Sequence, residues 1–551
     1  MLDFRMIING TIPGGIWVLV FLVVVSLGII TYMYLSSELM KTKTYIRSLL
    51  VSVFGSVFVY SLLLLAFPPV RLIPNVVISP VFSKDKEPGV RALPYFLTQV
   101  LRKSYPTKIN TIPDESVLTV VNSHQWTHPD SLIQFARFNH IHFVVTLVEN
   151  QDQSLTITLT DTRYGESNTY GSWDIPSGLS LTDQLVEAGN VIVSAMYPDL
   201  KVSKSRLIEE ISRSLPSDEN ELNRFMEART LITGGDFLAA IPKLESWIKA
   251  DTGSAWNYHY LGKACLGQSR REVVDSLKRK YFLNRANYYL LEAVKRDQTS
   301  VEFLHELADY YLQMSLFADA EDVVKAAFVL DPYHYKGYLQ FGRMHISRWS
   351  GFPFPNDEKF PTQNALVRKA TELNPFSAEA FYFVGYLLEG ERKLEDLQGG
   401  RSFENYAKAL ELNPNYLEAL SNTFRLSVLK GQFINSRQYY NRMLELSPGN
   451  PDAVFFMGMN FYYQFLFDST IYYFNKNLSM KPNANAHMYL AATYENMGDT
   501  AKAVEHYTIR ILNRENETDA IATSAYKRLR ELDIAAWREV NKKIPPVILE
   551  D

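Results

Sequence analysis

A proline-centred helix break recurs along the second half of the chain and limits what this half can fold into. The breaks stand at Asp331-Pro332, Asn374-Pro375, Asn413-Pro414, Ser447-Pro448 and Lys481-Pro482. Proline ends a helix because it lacks an amide hydrogen and its ring clashes with the preceding turn. The last three prolines are each 34 residues apart, and the two earlier intervals are 43 and 39 residues. A period of this length predicts a helix, a turn, a second helix and another turn in every unit.

Small residues fall where the two helices of each unit must touch. In first helices they are Ala308, Gly342, Gly385 and Gly458, and in second helices they are Ala320, Ala327, Ala370, Ala409 and Ala503. Large apolar or aromatic residues occupy the positions between them, namely Leu307, Tyr311, Phe341, Tyr406, Tyr440, Phe461 and Phe474. This alternation predicts stacked helix pairs with a continuous core.

The period and the small-residue positions resemble those of the tetratricopeptide repeat. The resemblance covers residues 220–517 and implies an all-α solenoid wound as a right-handed superhelix. About eight units are expected, at 220–253, 255–299, 301–334, 335–377, 378–416, 417–450, 451–484 and 485–517. Residues 518–551 resemble the polar-faced capping helix, followed by a tail, that an open stack needs at its end.

The resemblance also implies a concave face made by the first helix of each unit. The groove-lining positions of the family fall on Arg343, Tyr382, Tyr386, Arg425, Phe455, Met459 and Tyr462. Aromatic residues and arginine dominate binding hot spots, so these residues are the candidates for contact with protein partners. The alternative is that several of the aromatic side chains pack between neighbouring repeats.

Two uncharged apolar runs near the amino end predict a transmembrane hairpin within residues 1–70. They span residues 16–35 and 49–67, and each is long enough to cross about 30 Å of hydrocarbon. The loop between them carries Lys41, Lys43 and Arg47, which places it in the cytoplasm and the later domains on the far side. In a bacterium this means an inner-membrane anchor with a periplasmic body. A buried hairpin of a soluble core is the alternative.

The sequence pattern of residues 71–200 is typical of a small α/β domain, which a linker at 201–219 joins to the repeats. The stretch VVISPVF alternates like a half-buried strand, FLTQVLRKSY has a helical stripe, and TLVENQDQSLTITLTDTRYGE is typical of a hairpin. These segments resemble the domain at the amino end of TolB and of proteins related to FlgO and CsgG. The resemblance implies contacts with envelope proteins and no chemistry.

No sequence motif for catalysis, a cofactor or a metal stands out. Cys265 is the single cysteine, which excludes an intramolecular disulfide and a thiolate metal cluster. His124 and His128 have the spacing of a metal site, but no glutamate joins them, which favours loop histidines. The formal net charge of −4 offers no basic field for nucleic acid.

These features favour a non-enzymatic, membrane-anchored scaffold that holds protein partners in a bacterial envelope assembly for secretion, motility or export. In this hypothesis the α/β domain docks one component and the solenoid another. The alternative hypothesis is a periplasmic sensor or regulatory subunit that signals through the membrane spans.

Overall fold

The computed structural model describes residues 73–83, 86–89, 92–106, 108–163, 168–200, 202–214, 219–272, 275–355, 358–390, 400–516 and 519–543. The predicted membrane spans at 16–35 and 49–67 lie outside these ranges. Within the described ranges, no helix combines the length and the apolar character that crossing a bilayer requires.

The first part of the described chain is an α/β domain with one six-stranded sheet. Its elements in chain order are β1 (Asn75–Ser83), β2 (Lys86–Gly89), α1 (Ala92–Ser104), β3 (Asn110–Thr111), α2 (Asp114–Ser123), α3 (Pro129–Phe138), β4 (Phe143–Glu149), β5 (Leu155–Asp161), β6 (Asn168–Ile175), α4 (Leu181–Met196) and α5 (Lys204–Ser214). The strand order is β2-β1-β4-β5-β6, and β3 also pairs with β1. Strand β1 runs parallel to β4, whereas β4, β5 and β6 are antiparallel neighbours.

Helices cover both faces of this sheet at β1. Val76 and Ile78 belong to the apolar cluster that includes α1, α4 and α5, whereas Val77 points into the cluster that includes α2 and α3. The pairing of β1 with β4 shifts register between Ile78 and Val81, so that Val81 returns to the first cluster and Phe82 joins the second. A strand buried on both faces reads as a continuous apolar run, which explains the composition of β1.

The rest of the described chain consists of helix pairs. They are α6 (Glu219–Thr233) with α7 (Phe237–Ala250), α8 (Ala255–Arg271) with α9 (Ser276–Arg296), α10 (Val301–Gln313) with α11 (Phe317–Leu330), α12 (Tyr335–Gly342) with α13 (Gln363–Leu373), α14 (Ala378–Gly390) with α15 (Gly400–Leu412), α16 (Leu417–Leu429) with α17 (Phe433–Leu446), α18 (Pro451–Tyr463) with α19 (Phe467–Met480), and α20 (Ala484–Asn496) with α21 (Thr500–Leu512). Helices α22 (Ala520–Leu532) and α23 (Ile534–Lys543) follow.

Glycine allows the two helices of a pair to approach closely. A Cβ atom at Gly458 would lie 2.9 Å from Cε1 of Phe474, a fully buried side chain on the second helix of the same pair. First helices of neighbouring pairs pack on one another more closely than second helices do, so the first helices form the concave inner face of the stack. The structure thus confirms the prediction of a small sheet followed by a tetratricopeptide-like array of helices.

Two sequence-based expectations need correction in the described residues, and one helix was missed. The predicted linker contains helix α5, whose Leu207 and Ile211 are fully buried against the α/β domain. The predicted single capping helix is divided in two, because the Asp533 carboxylate accepts hydrogen bonds from the amides of Ala535 and Ala536 and starts α23. Helix α2 was not predicted. The segment between α12 and α13 packs in part on the core, where Trp349 and Phe354 are buried.

Candidate functional site

The first turn of α2 reaches three separate parts of the helical stack. The Asp114 carboxylate pairs with the guanidinium of Arg229 on α6, which is fully buried. The Glu115 carboxylate lies 2.8 Å from Nζ of Lys263 on α8. The Ser116 hydroxyl accepts a hydrogen bond of 3.0 Å from the side chain of Asn374, in the turn between α13 and α14. Acidic residues are favourable at a helix amino terminus, so Asp114 and Glu115 stabilise α2 as well as the contact between the two domains.

Helix α1 adds a second set of polar contacts to the third helix pair. The Tyr95 hydroxyl donates to the Glu302 carboxylate over 2.6 Å, and the Gln99 side-chain amide donates to the other oxygen over 2.5 Å. Nε of Arg102 lies 3.2 Å from the Asp331 carboxylate in the turn after α11. Tyr95, Gln99, Arg102 and Asp331 are buried and Glu302 is half-buried, which strengthens these interactions.

The first residues of strands β1 and β3, together with an apolar contact, extend the interface to the fourth and fifth pairs. The side-chain amides of Asn75 and Asn110 donate to the carbonyls of Glu372 and Leu373, at 2.8 and 2.7 Å. Carbonyls at a helix end have no partner within the helix, so these bonds also satisfy the end of α13. Phe376 and Leu412 join the apolar cluster formed by α2, α3 and the sheet. The α/β domain therefore contacts the stack from the first pair to the fifth, at first helices α6, α8 and α10 and then at the ends of α13 and α15.

A ladder of ion pairs continues from this interface along the inner face. Lys263 lies 3.9 Å from Glu306, Glu306 lies 3.7 Å from Lys336, and Lys336 lies 3.4 Å from Asp309. Asp309 is 3.0 Å from Arg343, which is 3.2 Å from Glu379. Burial alone would lower the pKa of Lys336, but Glu306 and Asp309 raise it well above its usual value. Arg343, a predicted partner-binding residue, is therefore engaged within the chain.

Three neutral histidines surround the cavity that the interface encloses. This cavity has a volume of about 80 Å³ and is lined by His259, His305 and His334 together with side chains of α1, α2, α10 and α12. Burial lowers the pKa of all three imidazoles, that of His305 to about 3, and nearby cations act in the same direction. The imidazoles of His305 and His334 stack with ring centres 4.5 Å apart.

An open cleft of about 630 Å³ lies farther along the stack. It brings together two predicted site residues, Tyr386 on α14 and Arg425 on α16, with Gln363, Glu389 and Asn422 among its other walls. Tyr386 is 55% exposed, and Arg425 pairs with Glu389. This cleft combines an exposed aromatic ring, a charged pair and side-chain amides, which suits recognition of an extended polypeptide.

The other predicted residues divide between surface and core. Phe455 and Tyr462 meet on Tyr489, with ring centres 5.8 and 5.1 Å from it. Met459 is 4% exposed, so its side chain lies in the core and not on the partner-binding surface. Tyr382 is half-buried, and the centre of its ring lies 5.2 Å from that of Tyr416.

Cys265, His124 and His128 each pack or form hydrogen bonds within the fold. Cys265 is fully buried in α8, and burial raises the pKa of its thiol to about 12. His124 stacks on Trp126, and the His128 ring accepts a hydrogen bond from the amide of Asp130 at the start of α3. Within the described ranges, no three metal-ligating side chains come together.

Sequence reasoning did not find the α2 contacts. The Pro113-Asp114-Glu115 sequence carries a signal for a helix start, but nothing local indicates its partners on α6 and α8. A signal for the ladder is present, because Lys263, Asp309 and Arg343 hold alternating charges at corresponding positions of successive repeats.

The fold and the site define a class of protein: a small α/β domain held in the concave face of a tetratricopeptide-like stack. No protein-family model matches the chain. It is 31% identical over 86 residues to human protein O-mannosyl-transferase TMTC1, and this match spans 15% of the chain and 9% of that protein.

Similar solved structures include PilW, described as a type IV pilus biogenesis factor, and the APC/C hetero-tetramer Cut9–Hcn1. PilW is 19% identical with a TM-score of 0.31, covering 41% of this chain and 97% of its own. Cut9–Hcn1 is 13% identical with a TM-score of 0.42, covering 63% of each chain. Scores of this size carry no argument about function.

Proposed function

We propose that the chain is a membrane-anchored, non-enzymatic scaffold that binds a protein partner on the inner face of its later helix pairs. The observation that carries this proposal is the division of the inner face. The α/β domain contacts the first five pairs, the fourth and fifth only near the ends of α13 and α15, whereas the cleft at Tyr386 and Arg425 is open. This revises the hypothesis that the α/β domain and the whole solenoid each dock a separate component.

The partner that suits this surface is an extended segment of another protein. Tyr386 offers an exposed ring for an apolar side chain, and Glu389 and Arg425 offer one charge of each sign. The aromatic group formed by Phe455, Tyr462 and Tyr489 lies on the next first helices of the same face. The predicted spans at 16–35 and 49–67 would hold this surface near a bilayer, where tethering raises the effective concentration of a bound partner. An envelope assembly for secretion, motility or export is the proposed setting.

Affinity capture of the full chain from detergent-solubilised membranes of its native host tests the proposal. We expect a stable partner with the unaltered chain and its loss with the double variant Tyr386→Ala, Arg425→Ala. The matched control is Tyr472→Ala, because Tyr472 has a similar exposure of 59% but lies on the second helix α19. No partner from the unaltered chain, or equal capture by the cleft variant and the control, would overturn the proposal.

The anchoring part of the proposal needs a separate measurement. A reporter enzyme fused after residue 551 should be active on the periplasmic side if the hairpin has the predicted orientation. Extraction of the chain by alkaline carbonate, without detergent, would contradict the membrane anchor.

A further inference from the structure

The cavity at the domain interface adjoins a wider cleft. The inner cavity of about 80 Å³ and a neighbouring cleft of about 400 Å³ share four wall residues, Tyr95, Gln99, Arg102 and Glu302. Their combined size falls in the range of small-molecule sites, which occur preferentially between domains.

The buried His305 side chain in the cavity wall has an unused hydrogen-bond acceptor. The Gln340 amide nitrogen donates to the His305 carbonyl and to Asp309, at 2.8 and 2.9 Å. The Gln340 oxygen must therefore accept the 2.7 Å hydrogen bond from Nδ1 of His305. Nε2 of His305 then carries a lone pair, is buried, and has no hydrogen-bond partner among the described residues. An unsatisfied buried acceptor is costly, so a donor is expected there.

The walls of the cavity and cleft also carry an excess of negative charge. Together they contain seven carboxylates and four lysine or arginine side chains. Arg229 lies behind the wall and pairs with Asp114, whereas Glu302 forms no ion pair within the described residues. Glu302, His305 and Glu306 stand three and four residues apart on α10, so they share one face of that helix.

Aromatic rings border the same space. Trp256 and Tyr333 line the cleft, and Tyr95 lines both the cleft and the cavity. Ring faces attract ammonium groups, most strongly where water is excluded. The lone pair, the Glu302 carboxylate and the rings all favour a ligand that is positively charged and donates hydrogen bonds.

We propose that this inter-domain site binds a small aliphatic amine as its ammonium ion, with the cationic group held by Glu302 and His305 and the alkyl chain extending into the cleft. The site is separate from the partner surface at Tyr386 and goes beyond the scaffold function, because it lies in the part of the inner face that the α/β domain covers. A bound amine would bridge α1 and α10 and would stabilise the docked arrangement.

Calorimetric titration of the full chain in detergent with 1,4-diaminobutane tests this proposal. We expect saturable binding and a raised melting temperature with the diamine. The uncharged 1,4-butanediol and the oppositely charged succinate should give neither. A response to the diol equal to that of the diamine, or no saturable binding by the unaltered chain, would overturn the proposal.

Two variants locate the site. Glu302→Gln should weaken diamine binding by about tenfold or more, whereas Glu372→Gln, a carboxylate with a 70% exposed side chain on α13, should leave it unchanged. Since Glu302 also accepts from Tyr95 and Gln99, the second variant Asp297→Asn at the cleft wall covers the case in which Glu302→Gln does not fold. Asp297→Asn should weaken binding about threefold. Unchanged affinity in whichever of these two variants folds would place the amine elsewhere and contradict the proposal.

Discussion

The guanidinium of Arg229 on α6 and the carboxylate of Asp114 on α2 form an ion pair with almost no exposure to solvent. The two residues are 115 positions apart and belong to different domains. The Arg229 guanidinium also lies 4.1 Å from the centre of the Tyr95 ring. A single buried cation thus joins the first helix pair to both α1 and α2.

Removal of this cation should strongly destabilise the chain. Arg229→Met leaves the Asp114 carboxylate buried without a partner, and we expect a loss of about 3–5 kcal/mol in the free energy of unfolding. The double variant Asp114→Asn, Arg229→Met should recover much of the loss, since no charge stays buried. Urea unfolding measures both changes. The control Lys243→Ala breaks an exposed ion pair with Glu227 and should cost less than about 1 kcal/mol. Equal losses for Arg229→Met and the control would contradict the role of the buried pair.

Stability should fall as the pH falls below about 6.5. The folded chain holds His305 neutral down to a pKa of about 3, whereas an unfolded histidine binds a proton near pH 6.5. In this window the unfolded state binds more protons, so the contribution of His305 is complete above pH 6.5 and is lost toward pH 3. His305 faces His334, Lys336, Asp309 and Arg102.

His305→Gln should reduce the slope of unfolding free energy against pH by up to about 1.4 kcal/mol per pH unit between pH 5 and 6.5. Urea titrations at several pH values give this slope. Asp114 acts in the opposite direction, because burial, exceeding the effect of Arg229, raises its pKa to about 6. His128→Gln, at a 69% exposed side chain, is the control and should leave the slope unchanged. The same slope in His305→Gln as in the unaltered chain would show that this imidazole is not held neutral.

A β-branched side chain at Gly458 should separate α18 from α19. Even a Cβ atom would lie 2.9 Å from the buried Phe474 ring, so Gly458→Val should cost about 1–3 kcal/mol or more. Gly400→Ala is the control, because a Cβ there meets no described atom within 4 Å, and it should be neutral or slightly stabilising. Thermal unfolding followed by circular dichroism distinguishes the two. A neutral Gly458→Val would mean that the helices need not approach so closely.

Phe465 is held in a strained backbone conformation, and its replacement by glycine should stabilise the chain. It has a φ of 57° in the turn before α19, and three other turns of this kind have Gly235, Gly431 or Gly498 at the same position. A bulky residue in the left-handed region costs on the order of 1–3 kcal/mol, which Phe465→Gly would release in part. Phe465 is also 72% exposed, so little packing is lost.

Chemical denaturation measures the effect of this substitution, and we expect a higher midpoint for Phe465→Gly than for the unaltered chain. Phe465→Ala is the matched control, because it removes the ring but keeps the strain, and it should not raise the midpoint. A lower midpoint for Phe465→Gly would show that the exposed ring contributes more than the strain costs.

Individual elements show how far sequence reasoning extends into this fold. The prolines after α11, α13, α15, α17 and α19 gave the ends of those helices, because a proline acts on its own turn. Gly385 and Gly458 marked close helix contacts, since only the absence of a side chain permits them. Tyr386 and Arg425 were placed on the inner face and lie in one cleft, but Met459, from the same pattern, is buried. A repeat position fixes which side of a helix a residue occupies, and neighbouring helices decide its exposure.

The sequence by itself determined the helix pairs, their number and the small sheet, because hydrophobic period, proline and glycine act over a few residues or one repeat. Only the tertiary structure decided that the α/β domain packs against the first five pairs. That arrangement depends on contacts between residues more than a hundred positions apart, such as Arg229 with Asp114 and Asn110 with Leu373. Their side chains acquire partners, burial and shifted pKa values when the two domains pack together, and no local sequence pattern encodes contacts between domains.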